Sequence, residues 1–154
     1  DLYESDATFR EAFDEVATLF AKQSEFDLRE ILVAEDLDEL LGESRIAQPI
    51  LFAVQVAIVK SLEAEGLRPD AVAGHSVGEV AAAWAAGVLT LEDAVHLIRT
   101  RSTALEFMKG MGGMAAVLAG EESVEQALAD FGDSSITVAG QATDAPRPGR
   151  RDCP

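Results

Sequence analysis

The sequence is poor in cysteine, in basic residues and in long apolar runs. Cys153 is the only cysteine among 154 residues, so an internal disulfide or a cysteine-built metal site is excluded, and we predict a reducing, cytoplasmic location. Lys and Arg number 12 against 28 Asp and Glu, and the net charge of −16 argues against nucleic-acid binding. The most apolar stretch, residues 50–59, is too short to cross a bilayer, so we expect no membrane partner.

Several segments carry apolar residues at helical spacing. The predicted helices cover residues 8–22, 49–65, 77–86, 90–109 and 123–131, with a further short helix beginning at Leu28. Ser5 or Asp6 is suited to cap the first of them. Pro49 is typical of the first helical position, where its missing N–H costs nothing. Thr90 and Asp93 have the spacing of a capping box.

Three short apolar runs between these helices are predicted to be strands. They cover residues 71–74, 114–118 and 135–138. The first is followed directly by Gly74-His75-Ser76-Val77-Gly78, which matches the G-x-S-x-G nucleophile elbow. A tight strand-to-helix turn would expose the Ser76 hydroxyl, and the N–H of Val77 would face a developing oxyanion. The alternative is a glycine-bounded helix start, in which Ser76 is only a cap.

The segments around the elbow extend the pattern. They are Gln48-Pro49-Ile50-Leu51-Phe52-Ala53, Ala73-Gly74-His75-Ser76-Val77-Gly78-Glu79, Ala86-Gly87-Val88-Leu89 and Asp93-Ala94-Val95, followed by Arg99 and Arg101. Over about residues 2–138 the chain resembles the malonyl-CoA:acyl carrier protein transacylase family. It is most similar to the acyltransferase domains of modular or iterative polyketide synthases. The specific part is the G-H-S-x-G-E run with an arginine one helix later.

The resemblance implies a role for each matching residue. Ser76 is the nucleophile that becomes acylated, His75 helps to shape the pocket, and Val77 supplies an oxyanion-hole amide. Arg101 stands at the family's arginine position, which binds the free carboxylate of a malonyl-type extender. A guanidinium suits that role because it grips a carboxylate with two parallel hydrogen bonds. Gln48 matches a glutamine near the site, although its alternative role is only to cap the following helix.

Two neighbouring residues fit ordinary roles better. Arg99 lies two positions before Arg101 and therefore faces elsewhere on the same helix. His96 is in the middle of that helix, where we expect a surface or packing histidine and not the catalytic base.

The resemblance also implies the fold, which is α/β. We expect an α/β-hydrolase-like acyltransferase core, a parallel sheet with flanking helices, followed by the incomplete start of a small ferredoxin-like subdomain. The predicted divisions are a partial large subdomain with the elbow in residues 1–110, a partial ferredoxin-like subdomain in 111–140, and a disordered or aberrant tail in 141–154. The tail holds three of the five prolines and three arginines. An out-of-frame readthrough or a truncated gene model would explain its composition.

The implied reaction is a ping-pong transfer. Malonyl-CoA or a related acyl-CoA acylates Ser76, CoA leaves, and the phosphopantetheine thiol of an acyl carrier protein takes the acyl group. Neighbouring synthase domains are further expected partners, and no cofactor or metal is expected to stay bound. Val77 at the variable position of the elbow leans toward malonyl over methylmalonyl.

Two parts of the family pattern do not occur in this sequence. They are an early glycine-glutamine-glycine segment, whose glutamine contributes to the oxyanion hole, and a downstream histidine that acts as the general base. We therefore expect the chain alone to be inactive or nearly so. Two other readings stay open: an α/β-hydrolase-type esterase or thioesterase, which shares the elbow, and a non-catalytic truncated remnant. Glu79 after the elbow and the placement of Arg101 argue against the hydrolase.

Overall fold

The computed structural model describes residues 2–139, and within that range it contains eight α-helices and no β-strand. The helices are α1 (Leu2–Ser5), α2 (Ala7–Ala21), α3 (Leu28–Leu32), α4 (Leu37–Leu40), α5 (Ser44–Ala64), α6 (Gly78–Ala85), α7 (Leu91–Phe107) and α8 (Glu121–Phe131). Each predicted helix is present, with ends that shift by a few residues. The expectation for residues 141–154 lies outside the described residues.

The stripe of aromatic and small residues on α2 supplies one side of the core. Its buried residues are Phe9, Ala12, Phe13, Val16, Ala17 and Phe20. Asp6 caps the helix by accepting hydrogen bonds from the N–H groups of Thr8 at 2.9 Å and Phe9 at 3.1 Å. Of the two predicted caps, Asp6 is the correct one. These bonds, with that of Phe9 the strongest cause, lower the pKa of Asp6.

Helix α5 is the centre of the packing, because it contacts α2, α3, α6 and α7. The prediction that it begins at Pro49 is wrong: the helix begins at Ser44 and contains Pro49 in its interior. The reason is a cap supplied from a distant helix. Glu106 Oε2 on α7 accepts a hydrogen bond from the Ser44 N–H at 3.0 Å, and this stabilises an extra turn before the proline.

The length of α5 also bears on whether this helix could cross a membrane. At 21 residues it is long and apolar enough to cross a bilayer, a test that core helices of soluble proteins also pass. Nearly half of its apolar window, 44%, is buried inside the protein. Phe52, Ala53, Val56 and Ala57 are almost fully enclosed, so we interpret α5 as a core helix.

The three predicted strands are not formed in the described residues. Residues 71–75, 114–118 and 134–138 are irregular or turn-like and exposed. A strand requires a neighbouring strand for its backbone hydrogen bonds, and the described part of the chain offers these segments none. The expected parallel sheet therefore stays a prediction.

The chain divides into two units, Asp1–Gly112 and Gly113–Pro154. The first contains α1 to α7 and the hydrophobic core. In the second, α8 has no buried residue and ends at Phe131. The next residue, Gly132, has φ of 75°, the left-handed conformation that favours glycine after a helix end. The ferredoxin-like topology expected for residues 111–140 stays a prediction.

Candidate active site

The elbow is a strained turn before α6. Ser76 has φ of 56°, and among the described residues it is the one residue other than glycine with a positive φ. Such a conformation costs on the order of 1–3 kcal/mol and is found at sites where the surroundings hold it in place. The Gly78 N–H donates to the His75 carbonyl at 3.0 Å, and the Glu79 N–H donates to the Ser76 carbonyl at 3.1 Å.

Gly74 is required by the close approach of two backbone segments. A Cβ atom at this position would lie 2.2 Å from the Gly78 carbonyl oxygen and 2.5 Å from the Glu79 nitrogen. Both neighbours are backbone atoms, so neither can move aside as a flexible side chain could. The first glycine of the motif is therefore needed for the turn to pack against the start of α6.

Arg101 joins three elements at the elbow. From α7, its Nη2 donates to Ser76 Oγ at 3.0 Å, and its Nη1 donates to Gln48 Oε1 on α5. Gln48 is 9% exposed, so the oxygen that orients the guanidinium is itself held by packing. The structure thus brings together Ser76, Arg101 and Gln48, and Gln48 lies inside its helix and not at the capping position considered from the sequence.

The helix that carries Arg101 is fixed at both ends. At its start, Thr90 Oγ1 accepts a hydrogen bond from the Asp93 N–H at 3.1 Å, which is the predicted cap. Near its end, Glu106 binds Lys109 at 3.2 Å and the Ser44 N–H at 3.0 Å. The hydrogen bond from Lys109 is the main reason that the pKa of Glu106 is lowered, and the backbone donor adds to it.

Val77 and His75 lie at the elbow, while His96 and Arg99, for which no site role is predicted, lie elsewhere. Val77 is half-buried and precedes the first residue of α6, so its N–H lies at the positive, N-terminal end of the helix dipole. His75 is exposed, and its carbonyl closes the turn. His96 Nδ1 lies 2.8 Å from Gln23 Oε1, which agrees with a packing role. Arg99 is exposed on α7.

Glu79 takes part in the hydrogen bonding of the elbow, a role that was not predicted from the sequence. Glu79 Oε1 accepts a hydrogen bond from the Ser76 N–H at 3.3 Å. The signal was in the sequence, because Ser76-Val77-Gly78-Glu79 has the S-x-x-E spacing of a capping box.

The arrangement can stabilise negative charge next to a hydroxyl. Arg101 places a permanent cation beside Ser76 Oγ, and the start of α6 adds the partial positive charge of a helix N-terminus. Within residues 2–139 no group of three or more His, Cys, Asp and Glu side chains could hold a metal ion. The described groups are therefore a serine hydroxyl and, in hydrogen-bond contact with it, a cation that can bind an anion.

Comparison with known proteins agrees with this geometry. The family described as the acyl transferase domain matches residues 1–145. The chain belongs to the acyl transferase domain family. It is 43% identical over 130 residues to a phenolphthiocerol synthesis polyketide synthase of Mycobacterium marinum, a match that covers 84% of this chain and 6% of the relative. It is also 40% identical over 139 residues to the mycoketide-CoA synthase of Mycobacterium tuberculosis, with 86% of this chain and 3% of that protein covered.

Solved structures show the same relationship in three dimensions. The acyltransferase domain from the second module of the salinomycin polyketide synthase is 42% identical, with a TM-score of 0.74, over 85% of this chain and 30% of that one. A loading acyltransferase from the avermectin synthase is 29% identical with a TM-score of 0.77, over 84% of this chain and 41% of that one. The chain thus matches part of an acyltransferase fold and spans less than half the length of these relatives.

Proposed function

We propose that this acyltransferase-family chain transfers a malonyl-type acyl group from CoA, through an ester on Ser76, to the phosphopantetheine thiol of an acyl carrier protein in polyketide biosynthesis. The observation that carries the proposal is the hydrogen bond of 3.0 Å from Arg101 Nη2 to Ser76 Oγ. It sets a guanidinium within reach of any group attached to that hydroxyl.

The first half of the reaction forms the ester. Ser76 Oγ attacks the thioester carbonyl of the acyl-CoA, its proton leaves to a base, and the carbon–sulfur bond breaks to release CoA. The amide of Val77 is suited to stabilise the oxyanion, because it stands at the start of α6. In the second half, the carrier thiol attacks the ester and Ser76 recovers its proton.

The role proposed for Arg101 is to bind the free carboxylate of the acyl group. One of its nitrogens is held by the buried Gln48, which fixes the plane of the guanidinium. The nitrogen that meets Ser76 Oγ in the free protein would exchange that contact for the carboxylate once the ester forms. Arginine suits this exchange because its five N–H groups lie in one rigid plane.

The reaction needs a general base, and the described residues place none in hydrogen-bond contact with Ser76 Oγ. Its two histidines are His75 and His96. Within the described residues the side-chain partner of Ser76 Oγ is Arg101, while His96 binds Gln23. A guanidinium stays protonated and cannot accept the serine proton. We therefore propose that the chain alone loads slowly and turns over little, and that a base must come from elsewhere.

We further propose a cytoplasmic location, a CoA thioester as substrate and no resident cofactor.

A transfer experiment tests the proposed function. The chain is incubated with malonyl-CoA, freed of excess donor, and mixed with a phosphopantetheinylated acyl carrier protein. Malonyl on the carrier thiol, dependent on Ser76, supports transfer. Release of free malonate without carrier loading would favour an esterase or thioesterase, and binding without any acylation would favour a non-catalytic remnant.

A further inference from the structure

The chain contains two capping-box sequences that use their hydroxyl groups in different ways. At the start of α7, Thr90 Oγ1 accepts from the Asp93 N–H at 3.1 Å and donates to Asp93 Oδ2 at 2.6 Å. At the start of α6, Ser76 and Glu79 have the same spacing. There the Glu79 N–H meets the Ser76 carbonyl oxygen at 3.1 Å, and Ser76 Oγ meets Arg101 instead.

The backbone explains the difference. Thr90 has φ of −69° and ψ of 162°, the extended conformation in which a capping hydroxyl reaches the helix. Ser76 has φ of 56°, in the left-handed region. A serine before a helix ordinarily takes the Thr90 arrangement, and its hydroxyl is then used as a hydrogen-bond acceptor for the helix N-terminus.

The Glu79 carboxylate is the side chain that holds the Ser76 backbone. It accepts the Ser76 N–H at 3.3 Å, which is the reaching-back half of a capping box. A negative charge in the first turn of α6 is also favourable to the helix dipole. The carboxylate thus takes over the stabilisation of the turn that the hydroxyl would otherwise provide.

We infer that Glu79 is a positioning residue that keeps Ser76 in its left-handed conformation, so that the hydroxyl is not used to cap α6 and stays available for acylation. The inference rests on the proposed role of Ser76 as nucleophile. Glu79 acts through the Ser76 backbone and does not touch the acyl group. Without an acceptor at position 79, the Ser76 N–H loses its partner and the extended capping conformation becomes the better alternative.

The test compares Glu79→Ala with Glu79→Gln, which keeps an acceptor oxygen. Asp93→Ala is the matched control, since it removes the equivalent carboxylate from the box on α7. Two readouts are needed. Mass spectrometry gives the rate at which malonyl-CoA loads the chain. The one-bond coupling between the Cα of Ser76 and its α proton, measured by NMR, is smaller in the left-handed region than in the extended one and so reports the backbone conformation.

We expect Glu79→Ala to slow loading about 5- to 30-fold and to move the coupling to the value of an extended residue. Glu79→Gln restores the coupling and most of the rate. Asp93→Ala lowers the denaturation midpoint but keeps loading within about twofold. If Glu79→Ala keeps both the coupling and the loading rate of the Asp93→Ala control, the inference is wrong.

The coupling also separates this inference from the proposed function. If wild-type chain is never acylated, the proposed function fails, while the φ of Ser76 in Glu79→Ala still decides whether the carboxylate holds the turn. If Glu79→Ala does not fold, the inference is tested by comparing Glu79→Gln with the wild type. A wild-type Ser76 amide that exchanges with solvent as fast as an unprotected one would overturn the inference.

Discussion

Arg101 and Ser76 are separated by 25 residues in sequence and joined by a hydrogen bond of 3.0 Å from Nη2 to Oγ. The contact brings the middle of α7 to the turn before α6. It places the positive charge of Arg101 beside the hydroxyl of Ser76, the serine of the elbow motif. Under the proposed function, recognition of an acidic acyl group and its attachment would fall to these neighbouring atoms.

Replacing Arg101 by Ala should make the chain indifferent to the free carboxylate of the donor. Hydrogen bonds to charged groups contribute about 1.5–3 kcal/mol, so loading from malonyl-CoA should slow about 10- to 150-fold. Loading from acetyl-CoA should change far less, because acetyl has no carboxylate to lose. The measurement is the ratio of the two loading rates by mass spectrometry.

Arg99→Ala is the matched control for that experiment. Arg99 is on the same helix, has the same charge, and is exposed away from the contact with Ser76. Its ratio of malonyl to acetyl loading should equal that of the wild type. Equal ratios in Arg101→Ala and Arg99→Ala would contradict the assignment of Arg101 to the carboxylate.

Adding a methyl group at Gly74 should disrupt the elbow. The new Cβ would lie 2.2 Å from the Gly78 carbonyl oxygen, so the turn must open or the start of α6 must move. We expect Gly74→Ala to destabilise the chain by about 1–3 kcal/mol in urea unfolding and to abolish loading. Gly112→Ala, which meets no atom within 4 Å, should leave both unchanged. Normal loading by Gly74→Ala would show that the turn is not needed.

Truncating Phe13 should show how much of the stability comes from the packing of α2 in the hydrophobic core. Phe13 is fully buried, and its removal should cost about 3–5 kcal/mol in urea unfolding. Phe107 provides the control, since it is 85% exposed and Phe107→Ala should shift stability by no more than about 0.5 kcal/mol. Similar losses in both variants would mean that α2 does not pack as described.

The bond between Glu106 and the start of α5 should make stability depend on acid. Since the hydrogen bond from Lys109 and the donor at Ser44 lower the pKa of Glu106 in the folded chain, the carboxylate stabilises the fold above its unfolded pKa. That contribution is lost as the pH falls from about 4.3, the usual pKa of glutamate, through the lower folded value. Wild type should therefore be more stable than Glu106→Gln at neutral pH.

The difference between these two proteins should shrink below about pH 4, where Glu106 becomes protonated in the wild type. The measurement is the urea midpoint of each protein between neutral and acid pH. A difference that is constant with pH would show that the carboxylate charge contributes nothing to holding α5.

Local signals in the sequence were enough to locate the longer helices and the elbow, but not the four-residue helices α1 and α4. The aromatic spacing from Phe9 to Phe20 predicted α2 nearly to its ends, and the Thr90 cap fixed the start of α7. The start of α5 was misplaced at Pro49 because its cap, Glu106, is 62 residues away and leaves no local trace. A pattern of neighbours along the chain carries no information on such a contact.

The rest of the fold and the site depends on contacts between residues far apart in sequence, which local patterns do not reveal. Gln48 and Arg101 are 53 residues apart, and it was the family resemblance that related each of them to the site. The strand predicted at residues 71–74 has the right composition but no neighbouring strand in the described residues. Composition can favour a strand, yet only a partner supplies the hydrogen bonds that form one.

The most direct measurement is the site of acylation. The chain is incubated with malonyl-CoA, digested, and mapped by mass spectrometry alongside Ser76→Ala and Cys153→Ser. We expect the mass of one malonyl group on the peptide that contains Ser76 in wild type and Cys153→Ser, and none on Ser76→Ala. A malonyl group that persists in Ser76→Ala, or one found only on Cys153 as the sole thiol, would contradict the role of Ser76 as the nucleophile.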